Sequence, residues 1–331
     1  REVLQMTSFG LYLATRFSLT QQVRLYALTF GIGGIVSTIV AIALPWLGKH
    51  AVDHPGAWKG IYDYKNTFGS MMVLAMVAFF SLPIEHPRDR WIKWGGIAGA
   101  TALILLSTSK TALILGFGML GLMTFYRNFR WRGKRSVIFA SLSALVVGSV
   151  TVGVLSNWVA IITGLGKDPT ISGRTYIWEV SLDRLWDHPW LGYGRSAFWS
   201  PDSPYPRAIS FYLSQGFRAP HAHNGFIDTA LDVGLIGLGL LLICYVTAFV
   251  RALLRAYGSN HPEHLWAIGY LTFFALNNMT ESYVLRLSNV FWVLFIATVL
   301  TVKQRVPVFD DEHSPLAQPQ YNYQKLPETQ S

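Results

Sequence analysis

Apolar residues in this chain run in long blocks separated by short polar segments, most of them basic. The blocks fall at about 28–46, 67–83, 92–108, 111–127, 136–158, 225–250, 265–281 and 287–303. Read as helices they make an all-α, polytopic transmembrane bundle of about eight spans, several shorter than the roughly 20 residues that a perpendicular span needs. Residues 1–27 mix apolar positions with Arg1, Arg16, Arg24 and polar Ser, Thr and Gln, which reads as a cytoplasmic segment or an amphipathic surface helix. Spans 1–5 then occupy 28–158, a long loop 159–224 and spans 6–8 residues 225–303. The tail 304–331 is rich in Pro, Gln, Tyr and acids with few aliphatics, and is expected to be disordered. Arg1 in place of a start Met leads us to expect missing N-terminal sequence, further spans included.

Composition agrees: 51% of the 331 residues are hydrophobic and only 14% charged, a membrane-protein profile. The excess of 27 basic over 18 acidic residues would suit a nucleic-acid binder in a soluble protein. Here it clusters in short loops and reads as a topology signal, so no nucleic acid is expected as partner. Arg88, Arg90 and Lys93, then Arg127 to Arg135, Arg251 and Arg255, and Lys303 and Arg305 fall on one side, the cytoplasmic one. Segments 47–66, 107–111, 159–224 and 281–287 then share the outer face. The single Cys244 excludes an internal disulfide. We find no cleavable signal peptide and no internal repeat.

Candidate chemistry gathers on that outer face. Lys110, in Ser107-Thr-Ser-Lys-Thr111, is either an anion site backed by hydroxyls or a Lys that snorkels to water from a topological turn. Arg174 follows Ser172-Gly173, a plausible helix start, and Trp178, Leu182 and Leu185 recur on one face of an amphipathic helix closed by His188-Pro189. Arg174 would add a bidentate fork to the anion site at that helix end, or else pair with Asp168 or Glu179 of its own loop. His221 and His223 precede Asn224-Gly225 at the mouth of a span, where a His can act as a base or be structural. No metal site is expected, because Cys or carboxylate partners at ligand spacing are lacking. Asp228 and Asp232 lie on one helix face just inside the membrane, where carboxylates should be paired or functional. Gly234, Gly237 and Gly239 read as helix-packing positions. Glu281 can line the cavity with Asn277 and Asn278 or pair with Arg286. Lys65-Asn66 opens a span either as part of the site or as an interfacial anchor.

These residues also carry a resemblance. His223-Asn224, nine residues, then Gly234-Leu-Ile-Gly237 fits the His-Asn-x9-Gly-x-x-Gly signature of bacterial O-antigen ligases. Ser172-Gly-Arg174…Trp178…His188-Pro-Trp-Leu-Gly192-Tyr-Gly194 resembles the start of the shared O-antigen ligase and polymerase domain. Lys65-Asn66…Gly69 and Ser109-Lys110-Thr111 are similar to the exopolysaccharide-polymerisation branch of that superfamily. The resemblance implies a glycosyltransferase of the bacterial inner membrane working on the periplasmic side, without metal or cofactor. It would move a glycan from undecaprenyl diphosphate to an acceptor hydroxyl, on lipid A core for a ligase or on another repeat unit for a polymerase. His223 then matches the catalytic His, with Asp228 to tune it. Arg174 matches the diphosphate-binding Arg, and Lys110 stands where ligases carry Arg. Lys65, Asn66, Arg218, Asn224 and Glu281 are further candidates for the diphosphate and substrate site.

Two other classes fit the composition. A transporter of a small anion or lipid-linked sugar would bind without chemistry, but its site is expected at the midplane between repeats. A structural subunit of an envelope complex would lose no activity with the cations.

Overall fold

The computed structural model describes residues 1–52, 54–128, 174–206, 209, 219–285 and 289–303. The expected span 136–158, Asp168, Ser172-Gly173, Arg218, Arg286 and the tail 304–331 lie outside these residues. Among the described residues the protein is helical, with one isolated β-bridge between Lys49 and Trp58 and no strand. In chain order the helices are α1 (Glu2–Arg16), α2 (Leu19–Ala43), the single turn α3 (Pro45–Gly48), α4 (Lys65–Phe80), α5 (Pro87–Ser107), α6 (Lys110–Asn128), α7 (Arg174–Leu185), α8 (Gly225–Gly258), α9 (Leu265–Asn278) and α10 (Val290–Lys303).

The bundle is built around α4. Every residue from Phe68 to Phe80 is buried, as a helix apolar on all sides requires. α2, α5, α6 and α9 pack against it. The ammonium of Lys93 in α5 closes its C-terminus, donating to the carbonyls of Phe80 at 2.5 Å and Leu82 at 3.1 Å. A cation there meets the negative end of the helix dipole as well as the unpaired carbonyls. Outward faces are apolar too: Leu28, Ile32, Ile35, Ile39 and Ile42 on α2, and Leu240, Ile243, Val250 and Leu254 on α8, are exposed. Stripes this long need a nonaqueous neighbour. α2 and α8, 25 and 34 residues long, are long and apolar enough to cross a membrane. The described residues thus form an all-helical bundle with two helices fit to cross a membrane.

The expected segment 1–27 is not one surface element. α1 packs along α10, burying Met6, Gly10, Leu13 and Ala14, and α2 already opens at Leu19 under a reciprocal Ser18/Gln21 capping box. The polar residues that masked this start are used inside: Gln22 is buried and donates its amide to the Thr301 hydroxyl of α10 at 3.1 Å. α7 also departs from expectation. Its buried face is Ile177, Ser181 and Leu185, packed with Phe198, Ala222 and Leu231 against α8, whereas Leu182 is exposed. It is clamped to α8 through that face.

α8 is interrupted at Gly234, where φ is 70° and ψ −176°. Only glycine occupies that region without strain. The break leaves backbone groups without helical partners, and the His188–Gly194 loop supplies them. Tyr193 N donates to Leu231 O at 2.7 Å, Gly194 N to Asp232 O at 3.1 Å, and Leu235 N to Pro189 O at 2.7 Å. A Cβ on Gly234 would sit 2.1 Å from the Trp190 carbonyl oxygen. Gly234 therefore serves loop docking, not the helix packing expected of it, and a Cβ on Gly239 would meet nothing within 4 Å.

Candidate functional site

Helix polarity sets up the site. α4, α6, α7 and α8 all direct their N-termini to one end of the bundle, where Glu281, in the turn after α9, ties three of them together directly. Asn66, second residue of α4, donates its amide to Glu281 Oε1 at 3.0 Å. Arg174, first residue of α7, places a guanidinium nitrogen 3.6 Å from the same oxygen. Gly225 N, at the start of α8, donates to the Glu281 carbonyl at 3.1 Å. α6 joins through Ser109, whose hydroxyl donates to Asn66 Oδ1 at 2.9 Å and also accepts from Ala112 N. The next residue is Lys110, exposed, and its charge is felt by Lys65 at the head of α4. Four positive dipole ends so meet at one end of the bundle, each helix bringing a polar or cationic residue there. Clustered helix N-termini favour an anion.

His223 is fixed with equal care. It adopts φ 52°, a left-handed conformation that costs a non-glycine residue energy. The neighbouring Ala222 is held from both sides: its carbonyl accepts from Trp178 Nε1 of α7 at 2.8 Å, and its N–H donates to Asp228 Oδ1 of α8 at 3.0 Å. His223 N donates to His221 Nδ1 at 3.1 Å, and the two rings lie 4.1 Å apart. Asn224 then caps α8, accepting from Phe226 N and Ile227 N. The ring so placed turns Nδ1 toward Glu281 Oε2, 3.7 Å away. Nδ1 is enclosed, while a quarter of the side chain is open (25%). Burial pushes the Glu281 carboxyl up, but the His223 contact and the charges of His223, Arg174 and His221 outweigh it and hold it below its ordinary range.

The structure thus brings together Lys65, Asn66, Lys110, Arg174, His223, Asn224 and Glu281; Arg218 lies outside the described residues. Arg174 pairs with Glu281 across the fold, not with Glu179 of its own helix. Asp228 spends its oxygens on Ala222 N and on Trp199 Nε1, at 2.8 Å for the latter, which makes it a support for the His223 turn. Asp232 takes Arg195 at 2.7 Å and Ser196 N at 2.8 Å, and Arg195 reaches on to the Leu285 carbonyl. Arg195 braces the broken helix and the Glu281 turn against each other, a role no motif announced; the buried Asp232 was its only signal. Among the described residues no three His, Cys, Asp or Glu side chains gather as a metal site would need.

The chain is similar in sequence to known proteins. The O-antigen ligase family matches residues 95–242, a stretch that includes Lys110, Arg174, His223 and Gly234. The exopolysaccharide production protein ExoQ of Rhizobium meliloti is 29% identical over 77% of this chain and 61% of its own length. A Rickettsia conorii protein named as a polysaccharide ligase is 23% identical over 60% of this chain and 49% of its own. The chain thus spans about half to three fifths of the length of these relatives. A chain of a solved peptidoglycan synthase complex aligns over 91% of this chain and 88% of that one, with 16% identity and a TM-score of 0.41, too low to bear on the fold. The family read from the motifs, that of the O-antigen ligases, is the one whose model matches residues 95–242.

Proposed function

We propose that this polysaccharide-processing protein transfers a glycan from undecaprenyl diphosphate to an acceptor hydroxyl on a glycan or on lipid A core, at the periplasmic face of the bacterial inner membrane. The observation that carries this reading is the convergence of four helix N-termini with Lys65, Lys110 and Arg174 beside an oriented His223. In this reading about eight spans place the site end outside, the basic loops inside and the loop 159–224 in the periplasm, and the polyprenyl chain lies between spans.

The acceptor oxygen attacks the anomeric carbon as its proton passes to His223 Nε2. The bond from that carbon to the diphosphate oxygen breaks, and the electron pair leaves with the diphosphate. Direct displacement inverts the anomeric centre. The charge that grows on the leaving group is met by Lys110, Arg174, Lys65 and the helix ends, preorganised donors in a partly enclosed site. Metal is not required in this scheme, because those cations do a metal's electrostatic work.

The test is transfer by purified protein in lipid, from an undecaprenyl-diphosphate glycan to a panel of acceptors. His223→Ala should cut turnover by about 10²–10⁴-fold, the usual contribution of one positioned base, and Arg174→Ala should weaken donor binding. Transfer that survives His223→Ala in a folded protein would refute the assignment of the base. The acceptor used would separate ligase from polymerase.

A further inference from the structure

We infer that Glu281 is the positioning carboxylate for His223: it holds the Nδ1–H, so that the unprotonated Nε2 faces the acceptor hydroxyl. The inference rests on the reading of His223 as base and assigns Glu281 a part in it, in place of the diphosphate contact suggested by its neighbours. A carboxylate would repel a diphosphate. What it does face is cationic or hydrogen-donating: Nδ1 of His223 at 3.7 Å, Arg174 at 3.6 Å and the Asn66 amide at 3.0 Å.

The geometry is specific to an orienting role. Glu281 is 6% exposed, and a buried carboxylate needs partners on both oxygens. Oε1 is taken by Asn66 and Arg174, which leaves Oε2 directed at the imidazole. Asn66 cannot turn its acceptor to the carboxylate, because its Oδ1 already takes the Ser109 hydroxyl at 2.9 Å. His221 does not compete for His223 Nδ1: its own Nδ1 accepts the His223 backbone N–H at 3.1 Å, which fixes that ring. Nδ1 of His223 is enclosed and has no hydrogen-bond acceptor within range as the site stands, so an N–H there has Glu281 as its natural destination. The separation of 3.7 Å is an ion-pair distance; catalytic contacts commonly shorten to hydrogen bonds when substrate closes the site. When Nε2 takes the acceptor proton, the resulting imidazolium lies against a carboxylate that already faces Arg174 at 3.6 Å and the Asn66 amide at 3.0 Å. A base oriented by a third group is the arrangement that activates hydroxyls in triads.

Two readouts test this. Nitrogen chemical shifts of histidine-labelled protein in nanodiscs report the tautomer of His223, assigned by comparison with His223→Gln. Wild type should show protonated Nδ1 and unprotonated Nε2 in the neutral ring. Glu281→Gln can turn its amide N–H toward Nδ1 and should reverse that tautomer, whereas Glu281→Asp should retain it. In the transfer assay, Glu281→Gln should lower kcat by about 10²–10⁴-fold with little change in KM for the donor, as loss of the right tautomer does elsewhere. Glu281→Asp should keep at least tenfold more activity than Glu281→Gln. An unchanged tautomer in Glu281→Gln, or a loss confined to KM for the donor, overturns the inference. A reversed tautomer together with transfer that survives His223→Ala would uphold the orienting contact and sink the base reading, so the two failures are distinct.

Discussion

Replacing Gly234 by Ala should unfold the join between α8 and the His188–Gly194 loop. The backbone there sits at φ 70° and ψ −176°, which costs a residue with a Cβ about 1–3 kcal/mol. The new Cβ would stand 2.1 Å from Trp190 O and 2.2 Å from Trp190 C, both backbone atoms, so the loop must withdraw. Withdrawal breaks the bonds from Leu235 N to Pro189 O at 2.7 Å and from Ile236 N to Trp190 O at 3.4 Å, about 1 kcal/mol each. The total is about 3–5 kcal/mol, or a fall in Tm of roughly 5–10 °C for a protein of this size. Thermal unfolding of detergent-solubilised protein, followed by tryptophan fluorescence, reads it directly, since Trp190 is in the displaced loop. Gly239→Ala is the control: its Cβ meets nothing within 4 Å, and the helix should gain up to about 1 kcal/mol. If Gly234→Ala melts within about 1 °C of wild type, the break does not depend on glycine and the docking account fails.

Two further outcomes follow from the site. Trp178→Phe leaves the buried Ala222 carbonyl without the indole donor at 2.8 Å; an unsatisfied group costs about 1–3 kcal/mol, and turnover should fall about tenfold with KM for the donor unchanged, while a kcat within twofold of wild type would show that the His223 turn needs no such clamp. Glu281 links stability to pH: its carboxyl is held below the ordinary 4.5, so its ion pairs stabilise the fold fully above that value and are lost as pH falls through the lowered one. Melting curves from pH 7 to pH 3 should show this loss in wild type and a flatter profile in Glu281→Gln; equal slopes would refute the coupling.

Much of this was legible beforehand, for stated reasons. Apolar blocks predict helices because only a fully bonded backbone is tolerated in lipid, and α4, α5, α6, α9 and α10 lie within a few residues of their expected positions. The start of α2 was hidden because Gln22 and Arg24 look like surface residues; a helix interior can use such groups when a partner waits, as Thr301 does for Gln22. His223, Arg174 and Lys110 stood out as costly residues at polar junctions. Glu281 was visible as a candidate, but its partners were not: sequence proximity suggests Arg286, whereas Arg174 and His223 arrive from distant segments. Arg195 was lost among other loop arginines because its value lies in bridging Asp232 and the Leu285 turn, a relation made only by the fold.

The use of four separate helix ends also bears on how the protein is made. Residue 66 is made 215 positions before residue 281, and the Asn66 to Glu281 bond joins them. A chain made only as far as α6 holds Lys65 and Lys110 but lacks the carboxylate that gathers the helix ends. The cluster of helix ends is therefore complete only once the turn that follows α9 has been made.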